Sequence, residues 1–272
     1  MTTPQLGDIQ ETLLIPLYGR ARDAQSPGGG ILGDTKAAEL VSAIDYDFEK
    51  FRGPSLMGAV LRAGIFDAYV RRFLDRHPDG TVVDLGCGLS TRFDRLDNSR
   101  VRWFDLDVED TMALRRNFFT EGDRYTMISA SLFDDSWHTT VKAPGGPIFL
   151  LSEAVLLYFP EDQVVNELAT LAQTFPATPL AFDTGGSIMM NSQDRNPVFK
   201  AVPARMKWTC NDPKSLEACG LHLNESRSFA QPQPEVARQW PAKYRYGLRA
   251  LGWLPMVSTY IINLFTTKDT PR

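Results

Sequence analysis

The sequence predicts an α/β protein with a Rossmann-like, doubly wound sheet of seven strands behind an N-terminal helical cap. Residues 55–76, at the end of the cap, carry apolar side chains mostly at helical spacing. Beyond them, short apolar runs alternate with helical stretches, which implies parallel strands joined by crossover helices. Two strand-like runs near the end add a late antiparallel pair, unlike a six-stranded dehydrogenase sheet. We therefore predict a cap at 1–78 and a sheet domain at 79–272, with a substrate-side insert near 185–220.

The cap is predicted to contain three helices. Residues 8–22 favour a short helix that Pro16 interrupts. Asp34 suits the N-cap of a second helix, because its carboxylate can accept hydrogen bonds from the free amide groups there. Residues 55–76 predict a third helix, which the turn at 77–80 closes.

The sheet domain consists of short runs rich in residues that favour strands. The first five strands are predicted near residues 81–85, 101–106, 125–130, 147–152 and 179–183. Longer helices are predicted near 108–120 and 161–174, and a short helix closed by glycine at 213–220. The last two strands are predicted at 221–229 and 257–267.

Composition excludes several classes of protein. The net charge of -4, with no basic block, argues against a nucleic-acid partner. Three scattered cysteines suit neither a disulfide framework nor a metal site. No apolar run has the length of a membrane span, and the N-terminus lacks a signal-peptide pattern. We expect a cytoplasmic protein, monomeric or homodimeric, without metal or membrane partners.

The first strand and its turn predict a nucleoside site. Residues 81–90 enter a turn with glycines at Gly86 and Gly88, and the next strand ends on Asp105 and Asp107. Glycines let the backbone pass close to a ligand, and a carboxylate at the strand end can accept both hydrogens of a ribose diol.

The same loop separates two nucleoside cofactors. A dinucleotide fold uses Gly-x-Gly-x-x-Gly, but Thr91 stands where the third glycine belongs. Asp84, two residues before Gly86, would repel a pyrophosphate. It suits a cationic ligand such as S-adenosylmethionine, whose amino group can donate to a carboxylate. S-adenosylmethionine is therefore favoured, and an NAD-dependent oxidoreductase is the alternative from another class.

Four sequence blocks carry a resemblance to a known family. They are Leu61-Arg-Ala-Gly-Ile-Phe-Asp67, Val83-Asp-Leu-Gly-Cys-Gly-Leu-Ser-Thr-Arg92, Val101-Arg-Trp-Phe-Asp-Leu-Asp107 and Leu151-Ser-Glu-Ala-Val-Leu-Leu-Tyr-Phe159. On these blocks the chain resembles the leucine carboxyl methyltransferase superfamily, in particular its branch of tetracenomycin-type polyketide O-methyltransferases. The resemblance implies a class I methyltransferase fold.

The resemblance also implies roles for single residues. Arg62 matches the arginine that contacts the methionyl carboxylate of the cofactor, and Gly86 and Gly88 match the glycine loop. Further matches are Asp107 for the ribose, Leu132 beside the adenine, Glu153 near the methionyl end, and Tyr158 facing the reaction centre.

Two positions depart from the family pattern. Ser131 replaces an aspartate of the adenine segment, so Asp134 or Asp135 is expected to take over the contact with the adenine amino group. Ala154 replaces the glycine that usually follows the glutamate.

The acceptor can be narrowed by asking which nucleophile needs a base. A carboxylate is ionised at neutral pH, whereas a phenol with a pKa near 10 benefits from a base such as histidine. Of the three histidines, His77 and His222 fall away from the expected crevice, and His138 suits an adenine-side or surface position better than catalysis. A carboxylate acceptor is therefore favoured.

The sequence thus predicts an S-adenosylmethionine-dependent O-methyltransferase that forms a methyl ester on a small specialised metabolite. Glu153 and Tyr158 are its predicted catalytic residues. Alternatives are methylation of a phenol or enol, methylation of a protein C-terminal carboxylate, and a cofactor-binding scaffold without turnover. Groups proposed to orient the substrate are Tyr18, Arg20, Arg195 and Tyr244.

Overall fold

The computed structural model describes residues 2–269, apart from the side chains of residues 255 and 256. The outer ends of the two predicted domains, residues 1 and 270–272, lie outside the described residues. The described residues form a seven-stranded sheet, which confirms the predicted number of strands. The strands are Thr81–Leu85 (β1), Arg102–Asp107 (β2), Tyr125–Ser129 (β3), Ile148–Ser152 (β4), Pro179–Gly185 (β5), Leu221–Arg227 (β6) and Tyr260–Thr267 (β7).

The strand order is β3-β2-β1-β4-β5-β7-β6, and the first five strands are parallel. Every residue of β1 is buried, as expected for a central strand with helices on both faces. β7 is antiparallel to both neighbours, which confirms the predicted late pair. β1 to β5 therefore end at one edge of the sheet, called the carboxyl edge below. β6 also ends there, and β7 begins there.

The helices flank the sheet. Their bounds are Leu14–Ala24 (α1), Thr35–Ala43 (α2), Ser55–Arg76 (α3), Arg92–Leu96 (α4), Glu109–Arg115 (α5), Ser136–Lys142 (α6), Glu161–Thr174 (α7), Ser187–Met190 (α8), Pro197–Lys200 (α9), Pro234–Gln239 (α10), Ala242–Ala250 (α11) and Pro255–Ser258 (α12). Across residues 2–269, none of them combines the length and apolar character needed to cross a membrane.

Two predicted helices differ from the structure. Pro16 does not interrupt the first one, because it lies in the first turn of α1, where its missing amide hydrogen would have had no helical partner. A 3-10 turn, Gln10–Leu13, precedes α1. The helix predicted at 108–120 ends at Arg115, because residues 116–118 turn back toward β3.

Two connections at the carboxyl edge extend the basic sheet. Residues 186–220 leave β5 there and include the predicted insert. Residues 228–259 join β6 to β7 and carry α10 to α12, which the sequence did not predict. The exposed large apolar side chains of the described residues lie on these connections: Ile188, Tyr246, Leu251 and Trp253.

The apolar core includes buried residues from both predicted domains, such as Leu17 in the cap and Phe265 in β7. The division at residue 78 stays a prediction. Asp34 caps α2 as predicted, because its Oδ1 accepts a hydrogen bond of 3.0 Å from the amide of Ala37. The glycine stop after the short helix at 213–219 is also confirmed, with Gly220 in the left-handed region.

Between α6 and α7 lies a polar crevice of about 430 Å³. Its lining includes His138 and Glu167, both buried. Within the described part of the chain, His138 Nε2 and Glu167 Oε1 have no hydrogen-bond partner. Because burial disfavours the charged form, the pKa of Glu167 is raised from 4.5 to about 7.

Replacing Glu167 with glutamine should therefore stabilise the protein at pH 8 and have little effect near pH 4. Between pH 4.5 and 7 the folded state binds a proton that the unfolded chain releases, so wild-type stability falls as the pH rises through this window. We expect a gain on the order of 1 kcal/mol at pH 8, measured by urea unfolding at both pH values. Glu161→Gln, at an exposed position of α7, is the control. An equal gain at both pH values would contradict the prediction.

Candidate active site

The carboxyl edge brings together residues from four strands. The glycine loop follows β1, Asp107 ends β2, Glu153 follows β4, and Asp183 lies near the end of β5. Ligands of open α/β sheets bind outside the carboxyl ends of the strands, where the strand order reverses. Here that point lies between β1 and β4. The chain continues from β1 to β2 on one side of this point, and from β4 to β5 on the other.

The loop after β1 requires glycine at two positions. Gly86 has φ +73° and Gly88 has φ +52°, both in the region that disfavours other residues. A Cβ on Gly86 would lie 2.4 Å from Val155 Cγ2, and one on Gly88 would lie 3.1 Å from Leu13 Cβ. The loop is therefore packed between the N-terminal segment and the segment after β4.

Asp107 faces this loop from the end of β2. Its Oδ2 accepts from the amide of Gly88 at 2.8 Å, and its Oδ1 accepts from the amide of Val108 at 2.8 Å. Burial raises the pKa of Asp107 to about 6, although these hydrogen bonds oppose the shift. Since each carboxylate oxygen can accept a second hydrogen bond, Asp107 keeps the capacity that a sugar diol needs.

Arg62, on α3, reaches the carboxyl edge and pairs with Glu153. Its Nε donates to Glu153 Oε1 at 2.6 Å, and its Nη1 donates to the hydroxyl of Tyr260 at 3.0 Å. Nη2 makes no hydrogen bond to residues 2–269. Burial alone would raise the pKa of Glu153, but Arg62 and Arg92 outweigh it and hold the pKa below its usual range. The structure thus joins these two predicted residues.

Arg92, at the start of α4, was missed as a site residue although it ends the second sequence block. Its buried guanidinium donates to Asp67 at 2.9 Å, to Asp84 at 2.7 Å, and to Glu153. Burial raises the pKa of Asp84 to about 6 although Arg92 opposes the shift. The predicted contact of Asp84 with a ligand amino group stays a prediction.

Asp183 and Tyr260 were also missed. The hydroxyl of Tyr260 donates to Asp183 Oδ2, and both carboxylate oxygens of Asp183 lie 3.0 Å from the amide nitrogen of Ala154. Ala154 has φ +58°, which gives a physical reason for the glycine expected at this position. Burial raises the pKa of Asp183 to about 6, against the opposing effects of Arg62 and Tyr260.

Leu132 and Tyr158 are buried near the same edge. Leu132 lies in the loop after β3, and its neighbour Phe133 packs edge-on against Phe159. Burial raises the pKa of Tyr158, whose hydroxyl interacts with Thr12 of the N-terminal segment. Their predicted roles beside adenine and at the reaction centre stay predictions.

Two groups predicted to orient the substrate are buried residues of α1. Arg20 is buried and donates to Asp34 at 2.9 Å and to the carbonyl of Leu89 at 2.8 Å. Tyr18 is buried, its hydroxyl donates a hydrogen bond to Glu49, and its ring stacks on Phe48. Their predicted contact with a substrate stays a prediction.

The other two predicted groups lie on the connections at the carboxyl edge. Arg195 is exposed, and Tyr244 is half-buried on α11. Their contact with a substrate stays a prediction. No cluster of histidine, cysteine, aspartate or glutamate among residues 2–269 is arranged to hold a metal ion.

The strand order, the glycine loop and the carboxylate at the end of β2 define a class I methyltransferase. The family model for leucine carboxyl methyltransferase matches residues 14–172. The chain is 33% identical, over 84% of its length and 85% of the relative's, to a tetracenomycin polyketide synthesis O-methyltransferase from Streptomyces glaucescens. It is 31% identical to an S-adenosyl-L-methionine-dependent methyltransferase from Gibberella zeae, over 78% of each chain. The chain belongs to the leucine carboxyl methyltransferase family and is an S-adenosylmethionine-dependent methyltransferase.

A solved structure agrees with the fold. A DUF574 family protein from Streptomyces avermitilis superposes with a TM-score of 0.56 at 13% identity, covering 93% of this chain and 96% of its own. The seven-stranded fold predicted from the sequence is therefore confirmed.

The hydrogen-bonding side chains at the carboxyl edge fit S-adenosylmethionine. The cofactor carries a sugar diol, a carboxylate and an ammonium group. Asp107 can accept from the diol, the free Nη2 of Arg62 can donate to the carboxylate, and Glu153 can accept from the ammonium.

Proposed function

We propose that the enzyme transfers a methyl group to the carboxylate oxygen of a small specialised metabolite and so forms a methyl ester. The relative from Streptomyces glaucescens is named for polyketide synthesis, which supports an acceptor of that kind. Membership of the leucine carboxyl methyltransferase family supports an acidic acceptor. The aromatic side chains on the connections at the carboxyl edge, such as Tyr246 and Trp253, suit an aromatic acceptor.

The positions of the histidines carry the preference for a carboxylate. His77 follows α3 just before β1, and His222 lies near the start of β6, so both lie toward the opposite edge of the sheet. The ring of His138 packs against Phe175, which lies between α7 and β5. A phenol benefits from a base beside it, whereas a carboxylate attacks in its resting ionised form.

In this proposal the chain binds and orients rather than transferring protons. When bound, S-adenosylmethionine supplies a methyl group on a positively charged sulfur. Arg62 would hold the cofactor carboxylate, Glu153 its ammonium and Asp107 its ribose, while Leu132 would pack beside the adenine. Tyr158, buried near the same edge, would help to exclude water from the reacting atoms. Alignment of the two reactants supplies most of the acceleration, because the leaving group is neutral.

The linkage formed in the product tests the proposal. The enzyme is incubated with methyl-labelled S-adenosylmethionine and a panel of aromatic acids, with the matching phenols as the comparison set. We expect label in the acids, released as methanol by mild alkali, because esters hydrolyse and aryl ethers do not. Label that survives alkali would contradict the carboxylate proposal and support phenol methylation.

A further inference from the structure

The Arg62–Glu153 ion pair is closed into a ring by one residue of β5 and one of β7. Arg62 donates to Glu153 and to the hydroxyl of Tyr260. Tyr260 donates to Asp183, and Asp183 accepts from the amide of Ala154, the residue after Glu153. Asp183 and Tyr260 lie outside residues 14–172, which the family model matches.

The ring of hydrogen bonds is buried, so its charged groups need hydrogen-bond partners within the protein. Asp183 is 0% exposed and Tyr260 is 6% exposed. A buried carboxylate is costly unless hydrogen bonds satisfy it, and an apolar pair would fill the same space at lower cost. Buried polar groups that hydrogen-bond one another favour one side-chain arrangement over others. A residue that binds a ligand needs its side chain held in one such arrangement.

The alternative arrangement is visible in the structure. Arg62 Nε lies 3.9 Å from Asp183 Oδ2, so Asp183 is a second carboxylate within reach of the guanidinium. The hydroxyl of Tyr260 separates these charges by accepting from Arg62 and donating to Asp183. Without that hydroxyl, Arg62 can turn toward Asp183 and away from Glu153.

We propose that Asp183 and Tyr260 are positioning residues that hold Arg62 ready for the carboxylate end of the cofactor. This inference rests on the proposed role of Arg62. The two residues act on opposite sides of the same ion pair. Asp183 fixes the backbone after Glu153, where Ala154 adopts a left-handed conformation, and Tyr260 fixes the guanidinium. Tyr260, on β7, thereby completes the predicted binding site for the cofactor carboxylate, to which α3 contributes Arg62.

A pair of ligands separates positioning from general stability. S-adenosylhomocysteine contains the carboxylate end, whereas 5′-methylthioadenosine has the same adenosine without it. We expect Tyr260→Phe to weaken S-adenosylhomocysteine binding roughly tenfold, as for the loss of a hydrogen bond to a charged group. Binding of methylthioadenosine should change less than about twofold, since adenosine contacts lie elsewhere. Isothermal titration measures both.

Tyr69→Phe is the matched control, because Tyr69 is also a buried tyrosine whose hydroxyl contacts β7, at 3.4 Å from the carbonyl of Ile262. Tyr69→Phe should leave unchanged the ratio of the affinity for S-adenosylhomocysteine to the affinity for methylthioadenosine. Asp183→Asn is the second variant, since it keeps the shape and removes the charge, and it should lower the ratio as Tyr260→Phe does.

Each outcome bears on a different claim. Equal losses for the two ligands in both ring variants, or no loss for either ligand, would overturn the positioning role. Failure of the wild-type enzyme to bind S-adenosylhomocysteine would instead overturn the proposed cofactor site.

Discussion

Replacing Arg62 with alanine is expected to weaken S-adenosylhomocysteine binding by at least tenfold. The variant loses the guanidinium that pairs with Glu153 and whose Nη2 is free for the ligand carboxylate. A hydrogen bond between charged groups contributes about 1.5–3 kcal/mol, and the removal also leaves Glu153 with a single arginine partner. Arg62→Lys should recover only part of the affinity, because an ammonium cannot reproduce the planar fork.

The measurement is isothermal titration of the variant and of a control on the same helix. Arg72→Ala removes an arginine of α3 that is 38% exposed at its side chain and pairs with Glu225 at 2.8 Å. This control should bind S-adenosylhomocysteine like the wild type. If the affinities of the Arg62 and Arg72 variants are equal, the assignment of Arg62 to the cofactor is wrong.

Replacing Arg92 with leucine is expected to cause the largest loss of stability. The guanidinium is 2% exposed and serves Asp67, Asp84 and Glu153 together. Removing one partner of a buried ion pair costs about 3–5 kcal/mol, because the remaining charge stays desolvated. The three carboxylates belong to α3, β1 and the segment after β4, so the loss should loosen all three.

Thermal and urea unfolding measure this loss, which corresponds to a fall in melting temperature on the order of 10 °C for a chain of this size. Arg124→Leu is the control. That arginine pairs with Asp97 at 2.5 Å, but its side chain is 35% exposed, so its removal should cost much less. Comparable losses in the two variants would contradict the account of Arg92 as the buried centre of this cluster.

The sequence predicted the parts of the site that local pattern determines. The glycines of the loop and the carboxylate at the end of β2 lie within 22 residues, and their roles follow from the turn and the strand end. The helix predicted at 161–174 matches α7, because its apolar residues recur at helical spacing. Arg62 and Glu153 came from the family resemblance, and the structure places them in contact.

The parts that were missed depend on contacts between distant segments. Arg62 meets Tyr260 across 198 positions, and Arg92 meets Glu153 across 61. No local pattern indicates such pairs. The burial of Arg20 could not be predicted for the same reason, since it depends on the partner Asp34, 14 positions away. α11 has no fully buried residue, but Tyr244 and Leu248 pack one face of it against the core, and this amphipathic pattern was overlooked in the sequence.

A crystal structure of the enzyme with S-adenosylhomocysteine tests the central claim most directly. We expect the ligand along the carboxyl edge, with its carboxylate within hydrogen-bond distance of Arg62 Nη2 and its ribose hydroxyls on Asp107. Density that places the ligand carboxylate on another cation, or the ribose away from Asp107, would contradict this account of the site.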